Sequence, residues 1–581
     1  MKTGFLLSLS MMLVLVASAS QPDAVDPRVR TFVYPTKVLW TTEDIKSGSG
    51  WSSRSKVEQI ETLFERKHGQ VCEKAFGKAV GFRLVNSGEA PGILLDFGKE
   101  LHGGLHLGMS PGATPFSRLR LRFGESASEA MSSIGEKHAT NDHALRDFEI
   151  PVPRFGSIEV GNTGFRFVRI DLVTGGQVGF EFIRAISLMR PMKAVGSFRS
   201  SDSRLNSVFD TAVRTVHLCC QEHLWDGIKR DRLVWMGDAY PETRTILSVF
   251  GADSVLPETL DFAAATTSSD KWMQSMPSYT LWWIRNLTEW YRYTGDKASV
   301  LKHSDYIRKT LDHVASAITP SNTWDAVGFL DWPTKHNPKA VEAGMQALCA
   351  LAFEDASLLM EVLGDGAAAK VWRERSEAFR KVKCDPNGAK AAAAMLALGG
   401  VEDASEMYAK VLGQNGHEGV STFYGYFMLE AMSAAGENQR ALNTVRDYWG
   451  AMLDVGATSF WEDFNLSWTN NCFRIDEMPV KGKKDIHGDY GEFCYPGFRH
   501  SFCHGWAGGP AAWCINRVLG IRPLGVGCRK VEVKPFLGDL EWAEGAMALP
   551  DGKSVRVRAE RRQDGTVGVK INAPEDVEIV R

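Results

Sequence analysis

Between Thr31 and Met192, hydrophobic and polar residues alternate in short runs: Gly92-Ile93-Leu94-Leu95-Asp96-Phe97, Leu105-His106-Leu107, Arg118-Leu119-Arg120-Leu121-Arg122-Phe123 and Phe165-Arg166-Phe167-Val168-Arg169-Ile170. A period of two turns one face of each run inward, and Gly-rich turns separate the runs, which predicts an antiparallel β-sandwich. Near Ser197 the period changes. Helical segments follow at about 202–219, 240–251, 254–270, 279–295, 299–318, 339–363, 366–382, 387–399, 402–413, 421–434, 438–449 and 503–519. Some dozen helices with few strands between them predict helical hairpins around a common axis. After Pro523 the period of two returns in Val531-Glu532-Val533, Ser554-Val555-Arg556-Val557-Arg558-Ala559 and Val567-Gly568-Val569-Lys570-Ile571, with Asp551-Gly552 and Asp564-Gly565 turns.

The expected organisation is multidomain: an N-terminal β-sandwich at 30–195, a helical domain at 196–520 and a small C-terminal β domain at 521–581. No Pro/Ser-rich linker separates them, so they are expected to pack as one unit. Met1-Lys2, an apolar run from Phe5 to Val16 and the small residues Ala17 and Ala19 read as a cleavable signal peptide at 1–19. The protein is therefore expected to be periplasmic or secreted, with no membrane attachment after cleavage.

Composition narrows the function. Lys+Arg 67 against Asp+Glu 70 gives a net charge of -3, too weak a field to gather nucleic acid or an acidic membrane. Ten Cys contain no C-x-x-C pair, so neither a zinc ribbon nor a dithiol centre is indicated, and no metal or cofactor is expected. Cys472 and Cys494 bracket a polar loop and form the pair to test for a disulfide, with free thiols as the alternative. There are 17 Trp against 12 Tyr, and fourteen of the Trp fall between Trp225 and Trp513. Indoles serve as core or as platforms for flat ligands. Their concentration in the helical domain predicts an aromatic-lined pocket there.

Three segments carry candidate chemistry. Trp225-Asp226-Gly227-Ile228-Lys229-Arg230-Asp231-Arg232-Leu233-Val234-Trp235-Met236-Gly237-Asp238 crowds acids, cations and indoles onto a loop expected to enter a helix near Pro241. If the stretch after Asp231 were helical, Asp231, Trp235 and Asp238 would share a face. In Gly456-Ala457-Thr458-Ser459-Phe460-Trp461-Glu462-Asp463-Phe464, two acids sit among aromatics, a costly place for charge unless it is paired or used. His504 opens the last helix in Ser501-Phe502-Cys503-His504-Gly505-Trp506-Ala507-Gly508.

In order and spacing these segments resemble the catalytic core of bacterial α-L-rhamnosidases, glycoside hydrolase family 78, over about residues 196–581. The resemblance implies an (α/α)6 barrel and inverting hydrolysis of a terminal α-L-rhamnose. By position it makes Asp231 the general acid and Glu462 the base that activates water. Asp226, Arg230, Trp235, Asp238 and His504 become sugar-binding neighbours. Inversion requires one protonated carboxyl at the glycosidic oxygen and one carboxylate far enough away to hold a water. Trp282, Trp283, Trp324, Trp332, Trp461, Trp468 and Trp506 are candidate platforms. Asp331-Trp332, an acid beside an indole on a non-helical loop, is the most promising secondary site.

Two departures stand out. The family usually has Glu where this chain has Asp231, which withdraws the proton donor by about 1.5 Å. The stretch from Leu466 to His500 is also longer than usual, and its Lys481, Lys483, Lys484, Asp485 and Arg499 form either a rim for an acidic glycan or a solvated insertion. The alternatives to a rhamnosidase are an inverting exo-glycosidase on the same barrel with another terminal sugar, and a non-catalytic glycan-binding relative.

Overall fold

The helices sort themselves by burial. Ala239–Val249, Pro277–Thr294, Pro338–Val362, Lys390–Leu398 and Gly425–Ala434 bury most of their side chains. Ser203–Cys219, Ser304–Ala315 and Gly366–Arg380 bury one face. A helix apolar all round must be enclosed, and one with a single apolar stripe lies outside. The chain is described here by a computed structural model covering residues 25–42, 56–64 and 82–581; the expected signal peptide and Trp51 lie outside the described residues.

Enclosed and one-faced helices alternate. Three segments continue through a π-helical turn, at Tyr408–Leu412, Val445–Trp449 and Cys514–Val518. Counting each as one helix, and Lys297–Lys302 with Ser304–Ala315 as one, the described residues form six outer–inner pairs, an (α/α)6-type domain. Connections from an inner helix to the next outer one are short, at 250–254, 295–296, 363–365, 399–403 and 435–437. Those from outer to inner include the long loops 220–238, 316–337 and 455–509. Because neighbouring helices run antiparallel, all the long loops gather at one end of the ring. Loops held by a rigid scaffold are where binding groups are placed.

Against that end lies the N-terminal β domain. Its nine strands are joined by hydrogen bonds into one continuous antiparallel network, which is compatible with the β-sandwich that the sequence predicts. The continuity comes from the length of Gly92–Met109 and the bulges within it. Its first part pairs with Lys37–Thr41 on one side, its second part with Gly176–Met189, and Gly156–Leu172 flanks both parts. The switch of partner needs glycine: a Cβ on Gly104 would lie 2.5 Å from the carbonyl oxygens of Val160 and Gly161. Ile93, Leu95, Leu105, Leu107, Leu121 and Phe165 form the core of this sheet.

The C-terminal region forms a four-stranded sheet and a three-stranded one. The edge of the first is Ser197–Ser200, paired with Trp542–Ala548. The strand opening the helical region therefore belongs structurally to the C-terminal domain.

Candidate active site

The loop 220–238 is shaped by an unusual turn. Asp231 and Arg232 take φ of 53° and 58°, left-handed values that non-glycine residues avoid, and the Arg232 N–H donates to the Arg230 carbonyl at 2.7 Å. The β domain holds this turn in place: the Arg232 guanidinium donates to the carbonyls of Asn162 (2.9 Å) and His143 (2.7 Å). The helix begins only at Ala239. The helical face proposed for Asp231, Trp235 and Asp238 is thus not formed, because the turn breaks the backbone; the loop itself brings the three together.

They line a cavity of about 220 Å³ with Asp226, Arg230, Met276, Tyr279, Phe329, Trp332, Glu462, Cys494, Arg499, His504 and Trp506. Asp226 is buried, and its Oδ1 accepts the Leu233 N–H at 2.9 Å. Burial first, then the charges of Asp231 and Asp238, push its carboxyl well above the usual range. Among these three carboxylates, Asp226 is therefore a proton-holding member. Asp238 accepts from Tyr279 Oη at 2.9 Å and lies 3.1 Å from His504 Nε2. Burial lowers the His504 imidazole, which keeps the ring neutral.

Glu462 enters from the loop 455–509. Its backbone pairs with Ser501 (N–H to carbonyl, 2.9 Å), and its carbonyl accepts from Thr422 Oγ1 (2.6 Å) and Trp506 Nε1 (3.0 Å). Its carboxylate accepts from the Ser501 N–H at 3.3 Å and from Arg230 Nη2. Arg230 Nη1 lies 3.3 Å from Asp231 Oδ1. One guanidinium thus bridges the two carboxylates that sequence position marks as acid and base, and supplies their counter-charge. The aromatic walls are fixed by their own neighbours: Trp506 stacks on Phe423 (4.7 Å, 5°), Phe329 meets Trp332 edge-on (5.4 Å, 73°) and Trp235 meets Tyr279 edge-on (5.9 Å, 85°).

Six residues expected on the sugar do not line this cavity. Trp283 packs against Tyr306, Trp324 against Trp272 and Trp468 on Tyr490, and the other three are Trp282, Trp461 and Asp331. Trp282 is enclosed in the barrel between Tyr240 and Phe427. Trp461 stacks on Phe502 (3.8 Å, 4°) while its neighbour Glu462 turns to the cavity. Asp331 is buried, capping Thr334 N–H (2.9 Å) and accepting from Ser421 Oγ (3.1 Å), and lines a separate cavity of about 330 Å³. Of the insertion's charged residues, Arg499 reaches the site cavity, whereas Asp485 is buried against Ser128 Oγ (3.0 Å) and Lys137 (3.3 Å). Cys472 and Cys494 are both free thiols. Met276, Tyr279 and His143 were not legible as site residues, having no motif of their own.

Among the described residues, one group of metal-ligand types gathers within 4.8 Å: Glu125, Glu129 and His487. Lys229 Nζ already supplies the cation, at 3.0 Å from Glu125 Oε2 and 3.2 Å from Glu129 Oε1. The donor set does not fit a metal as well.

Residues 193–384 match the family model described as the bacterial alpha-L-rhamnosidase 6 hairpin glycosidase domain. That stretch is thus similar to a rhamnosidase-type six-hairpin domain. Of the three segments, 226–238 falls inside the match, and the other two lie beyond it. The structure resembles the family 78 rhamnosidase of Bacillus sp. GL1 (TM-score 0.71, 21% identity, covering 85% of this chain and 53% of that one). It also resembles the Klebsiella oxytoca rhamnosidase with rhamnose bound (0.64, 19%, 84% and 95%). A third likeness is to the Streptomyces avermitilis α-L-rhamnosidase complexed with L-rhamnose (0.66, 17%, 84% and 48%). The chain spans about half the length of the Bacillus and Streptomyces proteins. At these identities the likeness is one of fold. No curated protein matches the chain. Asp231, Arg230 and Glu462 line one cavity at the loop end of the ring.

Proposed function

We propose that the protein is an exported, inverting glycoside hydrolase that removes terminal α-L-rhamnose from a polysaccharide, oligosaccharide or glycoside. The observation that carries this reading is the pair Asp231 and Glu462, brought from loops 231 residues apart in sequence to one cavity and joined there through Arg230. Asp231 is the general acid that protonates the departing glycosidic oxygen. Glu462 is the base that takes a proton from the attacking water. Asp238 and the neutral His504 accept and donate hydrogen bonds to ring hydroxyls, and Trp332 and Trp506 offer apolar faces. At about 220 Å³ the cavity is smaller than the usual drug-sized site and suits one ring rather than a chain, which favours exo action.

A second reading, another terminal sugar on the same barrel, is favoured by Asp231 itself, one methylene shorter than the Glu usual in the family. Incubation with an aryl α-L-rhamnoside and a panel of rhamnose-bearing oligosaccharides separates the cases. Rhamnose released first as the inverted anomer, followed by NMR, supports the proposal. Release with retained configuration refutes the mechanism, release of a different sugar supports the second reading, and binding without release supports a glycan-binding protein.

A further inference from the structure

The C-terminal sheet carries the basic alternation Ser554-Val555-Arg556-Val557-Arg558-Ala559, of which the catalytic cavity makes no use. Val555, Val557 and Ala559 point inward and join the core shared with the helices. Arg556 and Arg558 point outward, because successive side chains on a strand alternate. Strand pairing carries that outer face across four strands in register: one row runs Arg199, Glu544, Arg558, Lys570, and the next runs Ser197, Ala546, Arg556, Asn572. At a strand spacing of about 4.8 Å each row spans about 14 Å, longer than one sugar ring. All of these residues line an open cavity of about 440 Å³. The sheet is seated on the ends of inner helices: Tyr293 Oη donates to the Ala548 carbonyl at 2.7 Å, and the Val249 carbonyl accepts the Val195 and Gly196 N–H groups at 2.8 Å. Those ends lie away from the long loops, so this cavity and the catalytic one are at opposite ends of the ring.

The charges on the face do not balance. Arg199 meets Asp210 at 2.9 Å, and Arg558 meets Glu544 at 2.6 Å and Glu560 at 3.4 Å. Arg556 and Lys570 are exposed, and among the described residues neither forms an ion pair; Arg556 Nε reaches only Ser554 Oγ, at 3.4 Å. Four cations thus line the cavity against one carboxylate, Glu544, on a chain whose net charge is -3. Lys570 also stands directly opposite Arg558 across the strand pair. Like charges so placed work against folding, and an anion lying between them turns that repulsion into attraction. Trp542, two residues before Glu544 on the same face, lies under the Arg558 guanidinium, 5.4 Å from ring centroid to Cζ, which holds the fork against the sheet. Arg556 and Arg558 are about 7 Å apart along their strand, and each guanidinium matches a carboxylate with two parallel N–H donors.

We propose that this face is a second glycan site, remote from the catalytic cavity, that holds a carboxylate-bearing polysaccharide along its two rows. Arg556, Arg558 and Lys570 bind the carboxylates, and Ser197 and Asn572 bond to hydroxyls. The choice of a polysaccharide among polyanions rests on the glycoside hydrolase reading above, whereas the charge of the face does not. A polymer held here keeps further chain ends close to the catalytic cavity, the gain in effective concentration that two linked sites give.

Affinity electrophoresis of the full chain in gels cast with polygalacturonate tests the site, with dextran as the neutral polymer and duplex DNA and phosphatidylglycerol vesicles as other polyanions. Wild type is expected to bind polygalacturonate, more weakly as salt rises, and not dextran. Arg556→Gln combined with Lys570→Gln is expected to weaken that binding at least about tenfold, the scale of losing charged hydrogen bonds. Both residues are exposed and one belongs to a like-charge pair, so the unfolding midpoint is expected not to fall. The same change of net charge on the other side of the molecule, Lys481→Gln with Lys483→Gln, is expected to leave binding unchanged. No binding of polygalacturonate at low salt, equal losses from the two double variants, or tighter binding to DNA or to the vesicles overturns the site. Hydrolysis of an aryl α-L-rhamnoside is read in parallel: a wild type that binds polygalacturonate through Arg556 and Lys570 but releases no rhamnose supports the site and overturns the rhamnosidase reading.

Discussion

Lys229 Nζ lies 3.0 Å from Glu125 Oε2, an ion pair that joins the helical domain to the β domain where both are fully enclosed. The same ammonium donates to the carbonyls of Phe498 (3.0 Å) and His500 (2.5 Å), and Glu125 Oε2 accepts the Phe502 N–H at 2.6 Å. The next backbone amide along, Ser501, meets Glu462. The loops that carry Asp231 and Glu462 and the β domain therefore converge on one buried charge. Removing one partner of such a pair leaves the other uncompensated, so Lys229→Met is expected to cost about 3–5 kcal/mol in denaturant unfolding. Burial pushes Glu125 up to about 7 against the pull of Lys229. Glu125→Gln, mimicking a form already populated near neutral pH, is expected to cost much less. Equal losses from the two variants would show that the charge of Lys229 is not what matters.

Arg230 bridges Asp231 and Glu462 with separate nitrogens. Lys has a single head group and cannot span both. Arg230→Lys is therefore expected to lower kcat by about 10²-fold or more with modest change in KM, the scale of losing a preorganised charge. Steady-state kinetics on an aryl rhamnoside reads this, and a variant within threefold of wild type would count against the bridge.

Asp231→Asn and Glu462→Gln are each expected to reduce turnover by about 10²–10⁴-fold, the range for general acid–base groups. The Asn variant should spare an activated aryl glycoside more than an alkyl one. The Gln variant should impair both alike, because water attack is needed for either.

Asp463 gives a pH signature separate from catalysis. Burial, reinforced by the charges of Asp331 and Glu492 and opposed by the Phe464 N–H, pushes its carboxyl up to about 7. In the unfolded chain the group titrates near 3.9. Between about pH 4 and pH 7 the folded state binds the extra proton. Its contribution to stability is complete below about pH 4, falls as pH rises to about 7, and is level above. Asp463→Asn keeps the acceptor for Phe464 and removes the titration. Its unfolding midpoint is expected to exceed that of wild type at pH 7.5 and to converge with it near pH 4; a constant offset across the range would reject the assignment.

Trp332 and Trp282 should part ways under the same substitution. Trp332→Ala removes a cavity wall and is expected to raise KM with little change in unfolding. Trp282→Ala empties an enclosed site between Tyr240 and Phe427 and is expected to cost about 3–5 kcal/mol of stability. Unfolding curves read beside KM distinguish the two.

The periodicity of the chain determined the three-part organisation, the dozen helices and their approximate ends, because burial of an apolar stripe is a local pattern repeated over many residues. Motif order likewise located Asp231, Glu462 and their cluster. Which side of a segment meets the cavity was decided by packing alone: Trp461 and Glu462 are adjacent, and one stacks on Phe502 while the other meets Arg230. The left-handed turn at Asp231, with no glycine to announce it, is imposed by contacts from the β domain. His143 could not be read from the sequence for the same reason. It lies 88 residues from Asp231, in a domain whose own pattern reports only its sheet, and a contact between domains leaves no period in either.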